Sequence, residues 1–353
     1  MATRLATFCI LLLAALPVLA EPYLAVRAGQ SCGSCHTNPT GGGQRSVYGN
    51  IYSQQQIAAN DSSLGEAWTG EFAQRITFGA NARASATQFE LDDRDDNLDF
   101  GVDRATLYLG GRVNQHVSIY LDQQVAPGGS LNREAWLKVS NNALYLKAGK
   151  LFLPFGWRLE DDSAFVREAT GVTMTAGDDG IELGYETTRF NAQFAVTNGN
   201  GGAAERDDGK LFTLRAVAMT PMGQIGVSAL RNDTDFDDRR AYGLFAGLRT
   251  GAIAWLLEYD RVKDRPVAAS SQEQDVLLLE ANWLLSKGHN LKLTLESASF
   301  DDDRDTNKRG SLVYEYSPWV YSQLRLGVRV RDGEKTSALA NSEEAFVQLH
   351  VYL

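Results

Sequence analysis

Residues 323–331 read QLRLGVRVR, and this stretch decides the fold. Every second residue from 324 to 330 is apolar. A β-strand here therefore places four apolar side chains on one face: Leu324, Leu326, Val328 and Val330. The opposite face carries three arginines, which are costly to bury in the dry core of a soluble sheet. A water-filled lumen solvates arginine at little cost, and the stretch therefore predicts one strand of a transmembrane β-barrel.

The same period-two pattern recurs from residue 71 to the C-terminus. It gives about sixteen strands, an even number within the range of bacterial outer-membrane barrels. We therefore predict an all-β fold, a transmembrane antiparallel β-barrel over residues 66–353 in the outer membrane. A soluble all-β protein is the alternative.

The predicted connectors alternate in length, which is typical of a barrel with both termini in the periplasm. The short ones are 113–115, 140–142, 187–189, 221–223, 250–251, 287–290 and 318–319. The long ones are 91–97, 155–178, 198–210, 232–239, 262–273, 300–308 and 332–343. A soluble all-β protein gives no reason for this alternation.

The formal net charge of the 353 residues is −10, which argues against nucleic acid as a partner. Export is indicated by residues 1–20, in which an apolar run from Leu5 to Leu19 follows Arg4. The run is short for a membrane span and suits a signal peptide, with cleavage before Glu21. A retained membrane anchor is the alternative.

Residues 32–36 read CGSCH, the C-x-x-C-H pattern of covalent haem c attachment. Cys32 and Cys35 are spaced to bond the two vinyl groups of one porphyrin, and His36 follows as the proximal axial ligand of the haem iron. The third cysteine, Cys9, lies in the predicted signal peptide. A disulfide or redox C-x-x-C is the alternative, whereas a zinc site would need more cysteine or histidine ligands nearby.

The predicted monohaem cytochrome c segment, residues 21–65, is too short to build an adequate core by itself. Its stretch after His36, TNPTGGGQ, has the composition of a turn. We therefore expect the segment to enter the periplasmic half of the barrel lumen and to use the barrel wall to enclose the haem.

Two resemblances add to this interpretation. Residues 133–156 read REAWLKVSNNALYLKAGKLFLPFG and resemble a strand pair of the phosphate-selective porin O and P family. In that family the third loop folds into the lumen, which implies the same for residues 155–178. Phosphate selectivity is not carried over, because the family's arginine ladder does not map onto this sequence.

The order of the N-terminal features resembles the fused monohaem cytochrome-porins of the outer-membrane iron-oxidase type. These features are a signal, then AVRAGQSCGSCH at 25–36, then Tyr48-Gly49 and a barrel. The spacer TNPTGGG after His36 differs from that family. The resemblance implies oxidation of extracellular Fe(II) and transfer of the electron to a periplasmic carrier such as a soluble cytochrome c.

The second axial ligand is left open by the sequence. His350 and His116 are candidates for a distal ligand, because both are predicted on the polar face near the periplasmic ends of their strands. For each, an ordinary lumen or turn side chain is the alternative.

Three acidic loops offer oxygen ligands that suit divalent cations such as Fe(II). They contain Asp92, Asp93, Asp95 and Asp96; Asp233, Asp235, Asp237 and Asp238; and Asp301, Asp302, Asp303 and Asp305. Solvated loops or calcium bridges to lipopolysaccharide are the alternative. Three functions remain open: an Fe(II) oxidase, an electron conduit for another donor or acceptor, and a diffusion porin for anions or other solutes with an accessory haem.

Overall fold

The computed structural model describes residues 21–60, 68–91, 94–205, 207–234, 237–266, 270–301, 306–334 and 340–353. The predicted signal peptide, residues 1–20, lies outside the described residues. Asp92, Asp93, Asp235, Asp302, Asp303 and Asp305 lie outside them as well. The predicted acidic loop sites therefore stay predictions.

Short helices precede the barrel. They are α1 (Pro22–Ala28), α2 (Cys32–Cys35), α3 (Val47–Tyr52) and a π-helical turn, Ser53–Ile57. A fourth helix, α4 (Phe165–Thr170), lies within the barrel sequence. Proline at its first position suits the start of α1, and Gly29 ends that helix in the left-handed region at φ 63°. No helix in the described ranges is long and apolar enough to cross a membrane.

The described residues also form one antiparallel sheet that closes on itself. Its strands are β1 (Glu71–Ala73), β2 (Ile76–Leu91), β3 (Arg94–Arg112), β4 (Val117–Ala126), β5 (Leu131–Asn141), β6 (Leu144–Phe152), β7 (Gly177–Glu186), β8 (Phe190–Thr197), β9 (Lys210–Thr220), β10 (Gly223–Asp233), β11 (Asp237–Thr250), β12 (Ile253–Pro266), β13 (Gln272–Ser286), β14 (His289–Phe300), β15 (Asn307–Tyr316), β16 (Ser322–Asp332) and β17 (Ser342–Tyr352). Each of β2 to β17 pairs with its neighbours, and β17 pairs with β2. Among the described residues this is a closed barrel of sixteen strands with the short β1 added to β2, which confirms the predicted fold class.

The two faces of the wall differ as predicted. On β16, Leu326, Val328 and Val330 point outward and are 42–52% exposed, whereas Gln323 and Arg325 point inward and are buried. Outward apolar side chains also line β4, β6 and β14. The apolar exterior and polar interior are those of a membrane barrel with a filled lumen.

The predicted short connectors are found at one end of the barrel, here called the short-turn end. At the opposite end, the long-loop end, some connectors are shorter than predicted. Only residues 92–93 separate β2 from β3, and only 234–236 separate β10 from β11. The predicted loops 91–97 and 232–239 were therefore wrong in extent, because their charged residues continue the strands and pair locally, as Asp238 does with Arg240 at 2.7 Å.

One long connector, residues 153–176, is here called the inward loop. Phe155, Trp157 and Phe165 of this loop are buried in one apolar cluster with Phe245 and Leu256 of the inner wall. The cluster lies in the lumen and narrows it.

Ion pairs add to this attachment. Glu160 pairs with Arg83 at 2.5 Å, and Asp161 pairs with Arg309 at 3.1 Å. The resemblance implied an inward-folded loop at 155–178, and the described loop has this arrangement with α4 at its centre.

Candidate cofactor site

Residues 21–60, here called the N-terminal segment, lie at the short-turn end. On one side the segment is bonded to β14, β15 and the turn that follows β15. The Tyr23 hydroxyl donates to Glu315 Oε2 at 2.9 Å, Arg27 Nη2 donates to Asn290 Oδ1 at 2.9 Å, and the Ala59 amide donates to the Ser317 carbonyl at 2.8 Å. These contacts join residues more than 250 positions apart in the sequence.

The segment also reaches the opposite side of the lumen. Asn38 Nδ2 donates to Glu134 Oε1 of β5 at 2.9 Å, and the Gln44 amide donates to the Tyr120 hydroxyl of β4 at 2.8 Å. The segment therefore spans the lumen from β14 and β15 to β4 and β5. The hydrogen-bond donors of this polar turn thus find acceptors among the inward polar side chains of the barrel strands.

The CGSCH motif forms a single helical turn. The His36 amide donates to the Cys32 carbonyl at 3.0 Å, and His36 then pairs with Arg45 in an isolated antiparallel bridge. Both thiols are free, with Cys32 buried and Cys35 half-buried. The two sulfur-bearing residues and the histidine thus belong to one compact turn, as haem attachment requires.

The three glycines after Thr40 make the return of this turn possible. Gly42 has φ +79°, and a Cβ there would lie 2.9 Å from Arg158 Cδ and 3.2 Å from Met174 Sδ. A side chain at this position is therefore both strained and in contact with the inward loop. The glycines that predicted a turn after His36 therefore also allow this turn to lie against the inward loop.

Helix α3 packs directly on the CGSCH turn. A Cβ on Gly49 would lie 2.2 Å from the Cys35 carbonyl oxygen, so only glycine permits this approach. The Ser46 hydroxyl caps α3 by accepting from the Gly49 amide at 3.0 Å and donates to the Ser34 carbonyl at 2.7 Å. One serine thus fixes the helix start against the turn.

An open pocket, here called the cavity, lies between this turn, α1, α3 and the inward loop, and its empty space, open solvent included, is about 530 Å³. Its lining combines thiol, imidazole and guanidinium groups with apolar side chains. The lining residues are Glu21, Pro22, Leu24, Ala25, Cys32, Cys35, His36, Thr40, Gly41, Gly42, Arg45, Gly49, Tyr52, Ser53, Ile57 and Arg158.

Burial sets the protonation states in the cavity. It raises the pKa of Cys32 and raises that of Cys35 to about 11, with the neighbouring Cys32 adding to the second effect. Burial, with the charge of Arg45, lowers the pKa of His36 to about 4. His36 is therefore a neutral imidazole at pH 7, the form that binds a metal ion.

Two arginines from different parts of the chain border the cavity. The Arg45 guanidinium lies 3.3 Å from the centre of the Tyr352 ring. Arg158, on the inward loop, donates from Nε to Thr40 Oγ1 at 3.2 Å and from Nη2 to the Leu153 carbonyl at 2.7 Å. The cavity therefore has cationic as well as apolar walls.

This donor set fits a covalently attached haem. The thiols suit thioether bonds, Pro22, Leu24 and Ile57 suit the porphyrin face, and the arginines suit the propionates. The buried His36 Nδ1 has no hydrogen-bond partner in the described structure. In the described ranges, no group of three or more His, Cys, Asp or Glu residues is arranged to hold a metal ion. Such a group is not needed for haem, whose iron takes four ligands from the porphyrin.

The two candidate distal ligands lie outside the cavity lining. His350 is fully buried on the inner face of β17, its ring centre is 5.6 Å from that of Tyr352, and neither ring nitrogen has a partner among the described residues. His116 is exposed in the turn before β4, with Nδ1 2.9 Å from the Ser140 carbonyl oxygen. The structure brings Cys32, Cys35 and His36 together and does not bring either histidine to them.

Sequence reasoning missed Arg45, Arg158 and Glu21 as cavity residues. Arg45 directly follows the turn after His36, and that position was a usable signal. Arg158 comes from the inward loop, more than 100 residues away, and only the fold reveals its position. Glu21, which pairs with Lys292 of β14, lies at the predicted cleavage site and carried no signal of its own.

No protein-family model matches the chain, and no curated protein matches it by sequence. Solved structures match by fold. The anion-selective porin from Comamonas acidovorans is 11% identical with a TM-score of 0.65, over 79% of this chain and 99% of the porin. OprB from Pseudomonas putida is 11% identical with a TM-score of 0.63, over 79% of this chain and 94% of OprB.

The outer membrane protein OmpT of Vibrio cholerae also matches by fold. It is 13% identical with a TM-score of 0.63, over 80% of this chain and 100% of OmpT. At these identities the similarity shows the fold alone. This chain therefore has the barrel fold of outer-membrane porins.

Proposed function

We propose that this chain is an outer-membrane electron-transfer barrel, with one haem c attached to Cys32 and Cys35 and His36 as its proximal ligand. One observation carries the proposal: Cys32, Cys35 and His36 of the CGSCH turn line one cavity, together with apolar residues of the N-terminal segment and Arg158 of the inward loop. The porin-like fold and its outward apolar band support the location in the outer membrane. The short-turn end, with both termini, then faces the periplasm.

Haem supplies one-electron chemistry when it is bound at this site. The protein's own residues do the rest. His36 is neutral and held by the bridge to Arg45, Leu24 and Ile57 give the cavity apolar surface, and Arg158 contributes positive charge. The N-terminal segment and the inward loop fill the lumen, which favours passage of electrons over passage of solutes.

The external substrate that we propose is Fe(II). One electron leaves Fe(II), giving Fe(III), and reduces an oxidised periplasmic carrier such as a soluble cytochrome c by one electron. The resemblance to fused monohaem cytochrome-porins and the aspartate-rich long-loop end support this choice. An electron conduit for a different external donor or acceptor uses the same haem site and is the second form of the proposal.

The first experiment tests haem attachment. The full chain, expressed in a host with a cytochrome c maturation system, should retain haem on a denaturing gel. A double Cys32→Ala and Cys35→Ala variant should lose it, whereas Ser34→Ala, a change within the same turn, should keep it. Haem-free protein from the competent host would refute the proposal.

The second experiment identifies the substrate. Stopped-flow mixing of the oxidised protein with Fe(II) should reduce the bound haem in a concentration-dependent step. If Fe(II) leaves the spectrum unchanged while a small-molecule reductant changes it, the conduit for another partner is the correct form.

A diffusion porin is the remaining candidate, and the porin-like fold favours it. Planar-bilayer recordings separate it from the proposal. A filled lumen predicts low single-channel conductance. Conductance like that of an open porin, unchanged when residues 21–60 are deleted, would support diffusion as the main function.

A further inference from the structure

Arg158 is a buried cation without a counter-charge in contact. Its side chain is 5% exposed, and it forms no ion pair in the part of the chain that the structure describes. Two other buried arginines do have carboxylate partners: Arg133 pairs with Asp122 at 2.8 Å, and Arg167 pairs with Glu258 at 2.5 Å. An unpaired buried charge is costly, so a residue in this state indicates an anionic ligand.

Among the carboxylates, Glu134 has the largest electrostatic effect on the pKa of Arg158, and no hydrogen bond joins the two side chains. Glu134 Oε1 already accepts from Asn38 Nδ2 at 2.9 Å and from the Phe152 amide at 3.0 Å. Burial lowers the pKa of Arg158 to about 10, which leaves the guanidinium charged at pH 7. The charge therefore persists without a bonded partner.

The guanidinium of Arg158 is held in a fixed orientation. Nε and Nη2 are fixed by Thr40 and Leu153, and the guanidinium carbon lies 4.7 Å from the centre of the Phe152 ring. Its Nη1 is buried without a partner among the described residues. Arg158 lines the same cavity as Cys32 and His36. The Nη1 donor without a partner therefore belongs to a residue of that site.

We propose that Arg158 binds a propionate carboxylate of the haem, so that the inward loop is part of the haem site. The inference rests on the proposed function and extends it to a residue outside the N-terminal segment. Haem c is anchored by its vinyl edge to the two cysteines, and its propionates are its anionic groups. A planar guanidinium with fixed orientation is suited to a carboxylate.

The binding has an electrochemical consequence. Positive charge at a propionate stabilises the reduced haem relative to the oxidised haem, because reduction removes one positive charge from the iron. Arg158→Gln should lower the ratio of reduced to oxidised haem at a fixed applied potential about tenfold. That change corresponds to a midpoint potential about 59 mV lower for a one-electron couple.

The test uses the full-length haem-loaded protein in detergent. Potentiometric titration measures the midpoint potential, and resonance Raman spectroscopy measures the propionate-bending band. Arg158→Gln should change both, and Arg158→Lys should keep the potential near that of the unmodified protein. Heat-modifiable migration on a denaturing gel verifies that each variant contains a folded barrel.

Arg215→Gln is the matched control. Arg215 is also buried, donates from Nε to the Gly156 carbonyl at 2.9 Å and lies near Cys32, but it does not line the cavity. Its loss should leave the propionate band unchanged. This comparison separates a direct contact from the general effect of a nearby charge.

The outcomes are distinguishable. An unchanged propionate band in folded Arg158→Gln protein overturns the inference, even if its potential shifts as much as that of Arg215→Gln. A folded, unmodified protein without covalent haem refutes the proposed function itself. A changed band and a lower potential in Arg158→Gln alone support the inference.

Discussion

Replacing Arg167 with leucine removes the ion pair that holds the inward loop against β12. Arg167 Nη2 lies 2.5 Å from Glu258 Oε1, and both side chains are no more than 2% exposed. Glu258 Oε2 also accepts from the Trp157 amide at 3.0 Å. Leucine at position 167 therefore leaves the buried Glu258 carboxylate without its positively charged partner.

The size of the effect follows from burial. Removing one member of a buried ion pair costs about 3–5 kcal/mol, because the other charge stays buried without compensation. At about 1.4 kcal/mol per power of ten, this is roughly a hundredfold or larger change in the unfolding equilibrium. An exposed pair such as Arg231–Asp233, 2.6 Å apart with side chains more than half exposed, is worth less than about 1 kcal/mol.

Equilibrium unfolding in guanidinium, followed by tryptophan fluorescence, measures this difference. Trp157 is a suitable reporter, because its indole is buried, donates to the Leu257 carbonyl at 3.1 Å and contacts the Phe245 ring with centres 5.0 Å apart. Arg231→Gln is the control. Equal losses of stability in Arg167→Leu and Arg231→Gln, both below about 1 kcal/mol, would refute the packing of the loop described above.

Three further predictions concern the site and the loop. Gly49→Val forces a side chain against the Cys35 carbonyl, so haem retained on a denaturing gel should fall while the barrel stays heat-modifiable; unchanged haem content would contradict the close packing. Tyr120→Phe leaves the buried Gln44 amide without its acceptor and should cost about 1–3 kcal/mol in guanidinium unfolding, and a loss well below this range would contradict the contact. Burial opposes ionisation of Asp161, but two arginines lower its pKa well below the usual range, so its carboxylate stabilises the fold above about pH 4. Asp161→Asn should therefore unfold at lower guanidinium than the unmodified protein at pH 7, with a gap that narrows as the pH falls below about 4; a gap independent of pH would contradict this.

The barrel was predictable because its signal is local and repeated. Each strand needs only alternating residues, and QLRLGVRVR at 323–331 has one face for lipid and one for the lumen. The positions of the short turns were equally predictable from the sequence. The lengths of the outer connectors were not, since charged residues such as Asp238 and Arg240 look like loop in sequence but pair within a strand.

The haem site was predictable only in its local part. Cys32, Cys35 and His36 are adjacent in sequence, and their spacing carries the chemistry. Arg158 reaches the cavity because the inward loop folds back across the lumen, and no spacing rule connects it to the CGSCH turn. A prediction from residue types and spacing alone therefore cannot find a residue that only the fold brings to the site.

The N-terminal segment depends on the barrel for its core. In the structure Tyr23 and Val26 are buried in the same apolar cluster as Phe245 and Leu256 of the barrel wall. Residues 21–65 expressed alone in a competent host lack this wall, so they should yield a haem-bearing peptide without stable structure. Circular dichroism and the concentration of denaturant needed to alter the haem spectrum measure this. The full-length Gly49→Val variant provides the converse case, a barrel that folds while the CGSCH turn is disturbed. A fragment that is compact and as resistant to denaturant as the full chain would show that the segment is an independent cytochrome, and the role assigned to the barrel wall would then be wrong.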